Sequence, residues 1–211
     1  WVAARGVRDK VVIASKVAGP GNAAGDMTHI RGENRHLDSA NITAAVEASL
    51  RRLRTDCIDL YQVHWSERAV STHGRQRFSH LSDAAGQVSI EETLAALAQH
   101  VDAGKIRAIG VCNETPWGVM RYLFMADLMT VPRIASIQNG YSLLDRQFEI
   151  GLAEVAMREG IGLIGYSPLA SGTLTGKYGE KPAPIPSSRS DGSPSFVCRL
   201  LSPARRQAIA A

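Results

Sequence analysis

The sequence predicts an α/β fold assembled from parallel βα units. Three observations carry that prediction. Short β-branched runs alternate with stretches of helical periodicity over most of the 211 residues, and this alternation suits a parallel sheet with helical crossovers better than separate α and β domains. The returns from helix to strand are short. The long connections, 19–38, 66–88 and from 170 onward, all follow the C-terminal ends of predicted strands. Ligands bind at that end both in closed barrels and in open α/β sheets.

The elements follow in order. Val11, Val12 and Ile13 open a strand that ends at Lys16 and is stopped by Gly19-Pro20-Gly21-Asn22. Alternation places Val12, Ala14 and Lys16 on one face. Ile42, Val46, Leu50 and Leu53 recur at helical spacing, with Asn41 as the expected N-cap and arginines in the last turn. Cys57 to Val63 reads as a strand with Ile58, Leu60, Gln62 and His64 on one face. Ser89 and Glu92 form a capping box for a helix from Ile90 to Ala103, which Gly104 ends. Ile106 to Cys112 is the next strand. Thr115 as N-cap with Pro116 at the first helical position starts a helix to about Leu128. Ile134 to Gln138 is a strand, Phe148 to Glu159 a helix closed by Gly160, and Ile161 to Tyr166 a strand. Beyond Gly179 the chain is rich in Pro, Ser and Arg, and Pro203 to Ala211 resembles the start of a helix.

Composition narrows the function classes. With 45% hydrophobic and 21% charged residues, the chain has the make-up of a soluble globular protein. The formal net charge is +4, but basic and acidic residues are interspersed and no basic face with interleaved aromatics appears, which argues against a nucleic-acid partner. No apolar run approaches the ~18 residues that span a bilayer, so no membrane partner is expected. Cys57, Cys112 and Cys198 are odd in number and widely spaced, which points to a reducing, cytoplasmic setting rather than a disulfide framework or zinc site. His73 and His80 fit no metal motif.

About five strands are found where a closed βα barrel needs eight. Either the sheet is open or units are missing. Trp1 to Gly6 reads as the tail of a helix. The expectation is a single domain over 1–211, truncated at both ends.

A period of two makes Lys16, His64, Asn113, Gln138 and Tyr166 the last inward or end-facing residues of their strands, so five polar side chains should converge on one mouth. A lysine beside a histidine can tune the acidity of a third group, while the histidine donates to a carbonyl oxygen as charge develops. Asn and Gln offer paired donors and acceptors suited to an amide. The run SPLASGTLTGKY, 167–178, can bring backbone N–H groups near an anion through Gly172 and Gly176, with Lys177 adding charge. It is not a P-loop, because Ser171 and Tyr178 stand where that motif needs glycine and a serine or threonine. Trp65 is either a substrate-lining aromatic or a packing one.

Four motifs in this order, TDCIDLYQVHW, AGKIRAIGVCNET, IQNGYSLLDR and YSPLASGTLTGKY, resemble the aldo-keto reductases, most closely a bacterial Tas-like branch. The likeness spans about Val11 to Tyr178. It implies a (β/α)8 TIM barrel, here incomplete, that binds NADPH without a Rossmann motif and reduces aldehydes or ketones by hydride transfer. By the resemblance, Lys16 matches the lysine that lowers a catalytic tyrosine's pKa, and His64 the histidine that orients the substrate carbonyl. Cys112, Asn113 and Gln138 match the carboxamide site, with cysteine where serine is usual. Tyr166 matches the aromatic stacked on nicotinamide, and Ser167, Pro168, Leu169, Gly172, Leu174, Gly176 and Lys177 the pyrophosphate loop. The family's catalytic Tyr and Asp precede the lysine strand and have no counterpart in this chain, which implies low activity alone. Two alternatives stand beside reduction: an NADPH-binding regulatory module like the potassium-channel β subunits, and a Schiff base on Lys16 as in class I aldolases.

Overall fold

The computed structural model describes residues 1–20, 30–32, 35–70 and 86–177. His73, His80, Tyr178, Cys198 and the helix expected over 203–211 lie outside the described residues, as do parts of all three long connections. The chain divides into two compact units, one formed by 1–139 with 151–164 and the other by 140–150 with 165–211.

A short helix α1 (Val2–Arg5) ends at Gly6 in the left-handed conformation, as the sequence suggests. Then come β1 (Ala14–Val17), α2 (Ser39–Leu53), β2 (Ile58–Val63), α3 (Ile90–Asp102), β3 (Ile106–Cys112), α4 (Pro116–Met129), β4 (Ile134–Gly140), α5 (Leu152–Glu159) and β5 (Gly162–Tyr166). The five strands form one sheet in chain order, β1-β2-β3-β4-β5, and the pairs β1–β2, β2–β3 and β3–β4 are parallel. This is the βα succession of part of an (α/β)8 barrel. The helices pack neighbour on neighbour, α2 on α3, α3 on α4 and α4 on α5.

Capping chemistry explains where the elements begin. Ser89 accepts from the Glu92 N–H and Thr115 from the Gly118 N–H, both as the sequence predicts. At α2 the cap is Asp38 rather than Asn41. Its carboxylate accepts from the Asn41 N–H at 2.8 Å and from the Asn41 side-chain amide at 2.8 Å. The helix therefore starts a turn earlier, because a carboxylate outside the first turn also meets the helix dipole. The expected helix from Phe148 is a 3-10 turn, Gln147–Glu149, followed by α5, since Gly151 at φ +88° separates them. β1 begins at Ala14, three residues after the expected start, with Val12 exposed.

The lower end of the sheet is fastened by Asp59, which accepts from the Ile13 N–H at 2.8 Å and pairs with Arg8 at 2.8 Å and Arg107 at 2.5 Å. Burial alone would raise its pKa, yet these donors hold the carboxyl below its usual range. Tyr61 lies on the helix-facing side of β2, fully buried. Burial, only partly offset by Ser49 and Arg31, pushes its phenol up to about 12. Among the described residues no helix is long and apolar enough to cross a membrane.

His100 of α3 is buried, with Nε2 3.1 Å from Thr43 Oγ1 of α2. Burial, helped by Lys105, lowers its pKa, so the folded state keeps the ring neutral. The unfolded chain takes up this proton near pH ~6.5, and the folded chain only at lower pH. The His100 contribution to stability is therefore complete above ~6.5 and declines as pH falls. The urea midpoint should drop between about pH 7.5 and 5.5, and His100→Gln should remove part of that drop. An identical slope in the variant would exclude His100 as a cause.

Candidate active site

Parallel register brings the upper ends of the strands to common levels. Lys16 pairs with Gln62, Gln62 with Gly110 and Gly110 with Ser136, while Cys112 pairs with Gln138. Lys16, Gln62, Gly110 and Ser136 thus form one row across four strands. A Cβ on Gly110 would lie 2.6 Å from Ser136 Oγ and 3.1 Å from Gln62 Cγ, so only glycine leaves room for both polar neighbours. The Lys16 Nζ donates to Gln62 Oε1 at 2.8 Å and to Gln138 Oε1 at 2.7 Å. Its ammonium is therefore held by two neutral amide oxygens. Gln62 is fully buried, and among the described residues its Nε2, like Ser136 Oγ, has no hydrogen-bond partner.

Main-chain seams hold the strand ends together. The His64 N–H donates to Val17 O at 2.9 Å, Asn113 Nδ2 to His64 O at 3.0 Å, and the Asn113 N–H to Gln138 O at 3.0 Å. Asn113 adopts φ +55°, a left-handed conformation that asparagine tolerates better than most residues. The Trp65 indole N–H donates to Gly19 O at 3.0 Å, and its ring packs on the His64 imidazole with centroids 4.1 Å apart. Trp65 itself is buried. The Cys112 thiol accepts from Asn113 Nδ2 at 3.3 Å, and burial pushes its pKa up to about 11.

The second unit contains Tyr166 and the loop after it. The Tyr166 ring lies against Gly140, where an added Cβ would be 3.4 Å away, and the Tyr141 N–H donates to Tyr166 O at 3.1 Å. Ser167, Ala170, Ser171, Gly172 and Gly176 all have positive φ, at 56°, 46°, 59°, 92° and 74°. Internal bonds brace the turn: the Ala170 N–H to Ser167 O at 2.8 Å, the Leu174 N–H to Leu169 O at 3.2 Å, and Thr175 Oγ1 to Gly172 O at 2.7 Å. Lys177 follows directly, its N–H donating to Thr175 Oγ1 at 3.4 Å. Pro168 sits within the turn between Ser167 and Leu169.

Two contributors escape a sequence reading. Gln62 shares the inward parity of His64, but only the register shows that it lies level with Lys16. Glu114, in the next position after Asn113, is buried and paired with Arg68 from the loop after β2 through both of its oxygens. Asn139 clips the same segment, accepting from the Glu114 N–H at 3.3 Å and donating to Glu114 O at 3.1 Å. Among the described residues no group of three or more His, Cys, Asp or Glu is placed to hold a metal ion.

Parallel strands in chain order, alternating with helices that pack neighbour on neighbour, define an α/β fold of the barrel class, in which ligands bind at the C-terminal strand ends. The model of the aldo/keto reductase family matches residues 1–211, and the chain belongs to that family. It is 53% identical to the protein tas of Escherichia coli K12, over 87% of this chain and 52% of that protein. It is 39% identical to an aldo-keto reductase of Babesia bovis, over 90% of this chain and 69% of the other. Among solved structures, an aldo/keto reductase of Klebsiella pneumoniae in complex with NADP and acetate superposes with a TM-score of 0.58 at 30% identity, over 83% of this chain and 48% of that one. The chain thus spans about half the length of the tas and Klebsiella proteins.

The buried pair offers a direct test of what supports this mouth. Removing Arg68 leaves the Glu114 carboxylate buried without its cation, so Arg68→Ala should destabilise the protein by about 3 kcal/mol. Adding Glu114→Gln should restore part of the loss. Urea denaturation measures both, and a loss below about 1 kcal/mol would place the pair among weak surface bridges.

Proposed function

We propose that this chain carries the carbonyl-orienting and cofactor-binding residues of an NADPH-dependent aldehyde or ketone reductase, and that residues 1–211 are part of one aldo/keto reductase domain. The reading rests on the Lys16–Gln138 hydrogen bond. It joins the lysine assigned to proton chemistry to the glutamine assigned to amide recognition, although the two are 122 positions apart in sequence.

NADPH, when bound, supplies the hydride. Asn113, Gln138 and the Cys112 segment would hold the carboxamide, and Tyr166 the nicotinamide face. Ser167, Pro168, Leu169, Gly172, Leu174, Gly176 and Lys177 would hold the pyrophosphate. Support for the loop's part comes from its backbone. Three non-glycine residues in left-handed conformations cost about 1–3 kcal/mol each, and such strain collects at ligand clamps. Lys16 places a fixed positive charge at the mouth, where negative charge develops on a carbonyl oxygen. His64 donates a hydrogen bond to that oxygen, with its ring orientation set by Trp65. The two described cysteines are free, which suits a reducing, cytoplasmic setting.

A second reading, NADPH binding without turnover, is favoured by two observations. Lys16 gives two ammonium hydrogens to neutral amides, and Tyr61, the tyrosine nearest His64 in sequence, is buried on the helix side of the sheet. Titration of the chain with NADPH, followed by cofactor fluorescence, should show saturable binding that Gln138→Leu weakens at least about tenfold. No binding by the unaltered chain would overturn both readings. Turnover of an aromatic aldehyde at rates of about 1 per second or more would select the reductase over the binding module, and binding without turnover the reverse.

A further inference from the structure

Gln62 stands where an apolar side chain is expected. Ile58 and Leu60 occupy the two preceding positions on the same face of β2, and Gln62 itself is completely buried. On the neighbouring strand Gly110 leaves it room, since a Cβ there would come within 3.1 Å of Gln62 Cγ. An aliphatic side chain in this space would continue the apolar face and leave no polar atom to satisfy.

The amide is turned instead by Lys16. Lysine and the amide nitrogen both only donate, so the Gln62 oxygen has to face Nζ, and it accepts at 2.8 Å. That choice directs Nε2 away from the lysine, where it is buried and, among the described residues, without a partner. A buried N–H left in this way costs stability. The side chain is thus oriented by the lysine and not by its own satisfaction, which is the pattern of a group kept for position more than for packing.

The two acceptors of Lys16 are not equivalent. Gln138, from β4, is half-buried and open to whatever occupies the mouth. Gln62 lies level with Lys16 in the register of β1 and β2 and is sealed from solvent. One acceptor leaves an ammonium free to turn about a single bond. Two acceptors on different strands fix it, and with it the direction of the third N–H.

We propose that Gln62 is a positioning residue for Lys16, holding the ammonium in one place and orientation whether or not Gln138 turns to a ligand. The inference rests on the reductase reading of Lys16, whose charge acts on a developing oxyanion from a fixed position.

Heteronuclear magnetic resonance of the full chain, isotope-labelled at its lysine side-chain nitrogens, tests this. An ammonium held by two acceptors exchanges its hydrogens slowly with water and gives a resolved signal, and loss of that signal in Lys16→Arg identifies it. Gln62→Leu should speed the exchange at least about tenfold, the effect of losing one hydrogen bond to a charged group, with circular dichroism reporting an intact fold. Gln62→Glu, which keeps an acceptor in place, should retain slow exchange. If leucine prevents folding, Gln62→Met, closer to glutamine in shape, takes its place. Unchanged exchange in Gln62→Leu would overturn the proposal, as would fast exchange in the unaltered chain. Equal loss of the signal in Gln62→Leu and Gln62→Glu would also overturn it, by making Gln62 a packing residue. The signal needs neither cofactor nor turnover. Failure of the reductase reading would show instead as absence of NADPH binding with the slow Lys16 signal intact.

Discussion

The arrangement at the mouth depends on how an ammonium group is satisfied inside a sheet. Lys16 sits on β1 with its Nζ between two amide oxygens, one from β2 and one from β4. Lys16 is half-buried, so acceptors on its hydrogens replace part of its lost hydration, and neutral amides provide them without cancelling the charge. A carboxylate in either position would have made a closed salt bridge. Two glutamines keep the charge available instead. Reaching Gln138 also requires β1 and β4 to approach at their upper ends although two strands lie between them, which fits a sheet curved as in a barrel. The row that holds Lys16 shows how the space is made: Gly110 gives up its side chain so that Gln62 and Ser136 can stand beside it.

Much of this was legible in the sequence. Strand β3 and the caps Ser89 and Thr115 follow from local chemistry alone, since a hydroxyl residue ahead of an apolar-periodic run has few other uses. The strand-end residues follow from a period of two, which needs only the last residue of each strand to be known. What could not be read depends on relations between segments. The level of Gln62 with Lys16 is set by register, and register is a property of a pair of strands. The burial of Glu114 depends on Arg68, 46 positions away. The Asn41–Asp38 choice was local, but two good N-cap residues lay within one turn, and only the contacts decide between them. Gly151 was visible inside a helical pattern, and its positive φ turned a tolerated glycine into a break.

The two ends of the strands are built on different principles. At the lower end Asp59 gathers two arginines and a backbone N–H, so the charges are paired and serve the fold. At the upper end the seams use main-chain groups and neutral amides, as in Asn113 to His64 O and Asn139 to Glu114. The charged groups at that end include Lys16, the buried Arg68–Glu114 pair and Glu67, which accepts from the Leu37 N–H and pairs with His36. The division matches the general one in barrels, where the lower face carries stability and the upper face carries chemistry.

Cys112 shows how such a site tolerates substitution. By the family resemblance a serine usually stands here beside the asparagine, and a hydroxyl would donate a strong hydrogen bond. The thiol is a weak donor, and burial raises its pKa to about 11, so at neutral pH it is neither a nucleophile nor a local negative charge. It accepts instead from Asn113 Nδ2 at 3.3 Å while the same amide nitrogen reaches His64 O. The asparagine is thereby held from two sides, and its position does not depend on the missing hydroxyl. The substitution exchanges one donor for a buried, chemically quiet side chain and leaves the Asn113 and Gln138 hydrogen bonds in place.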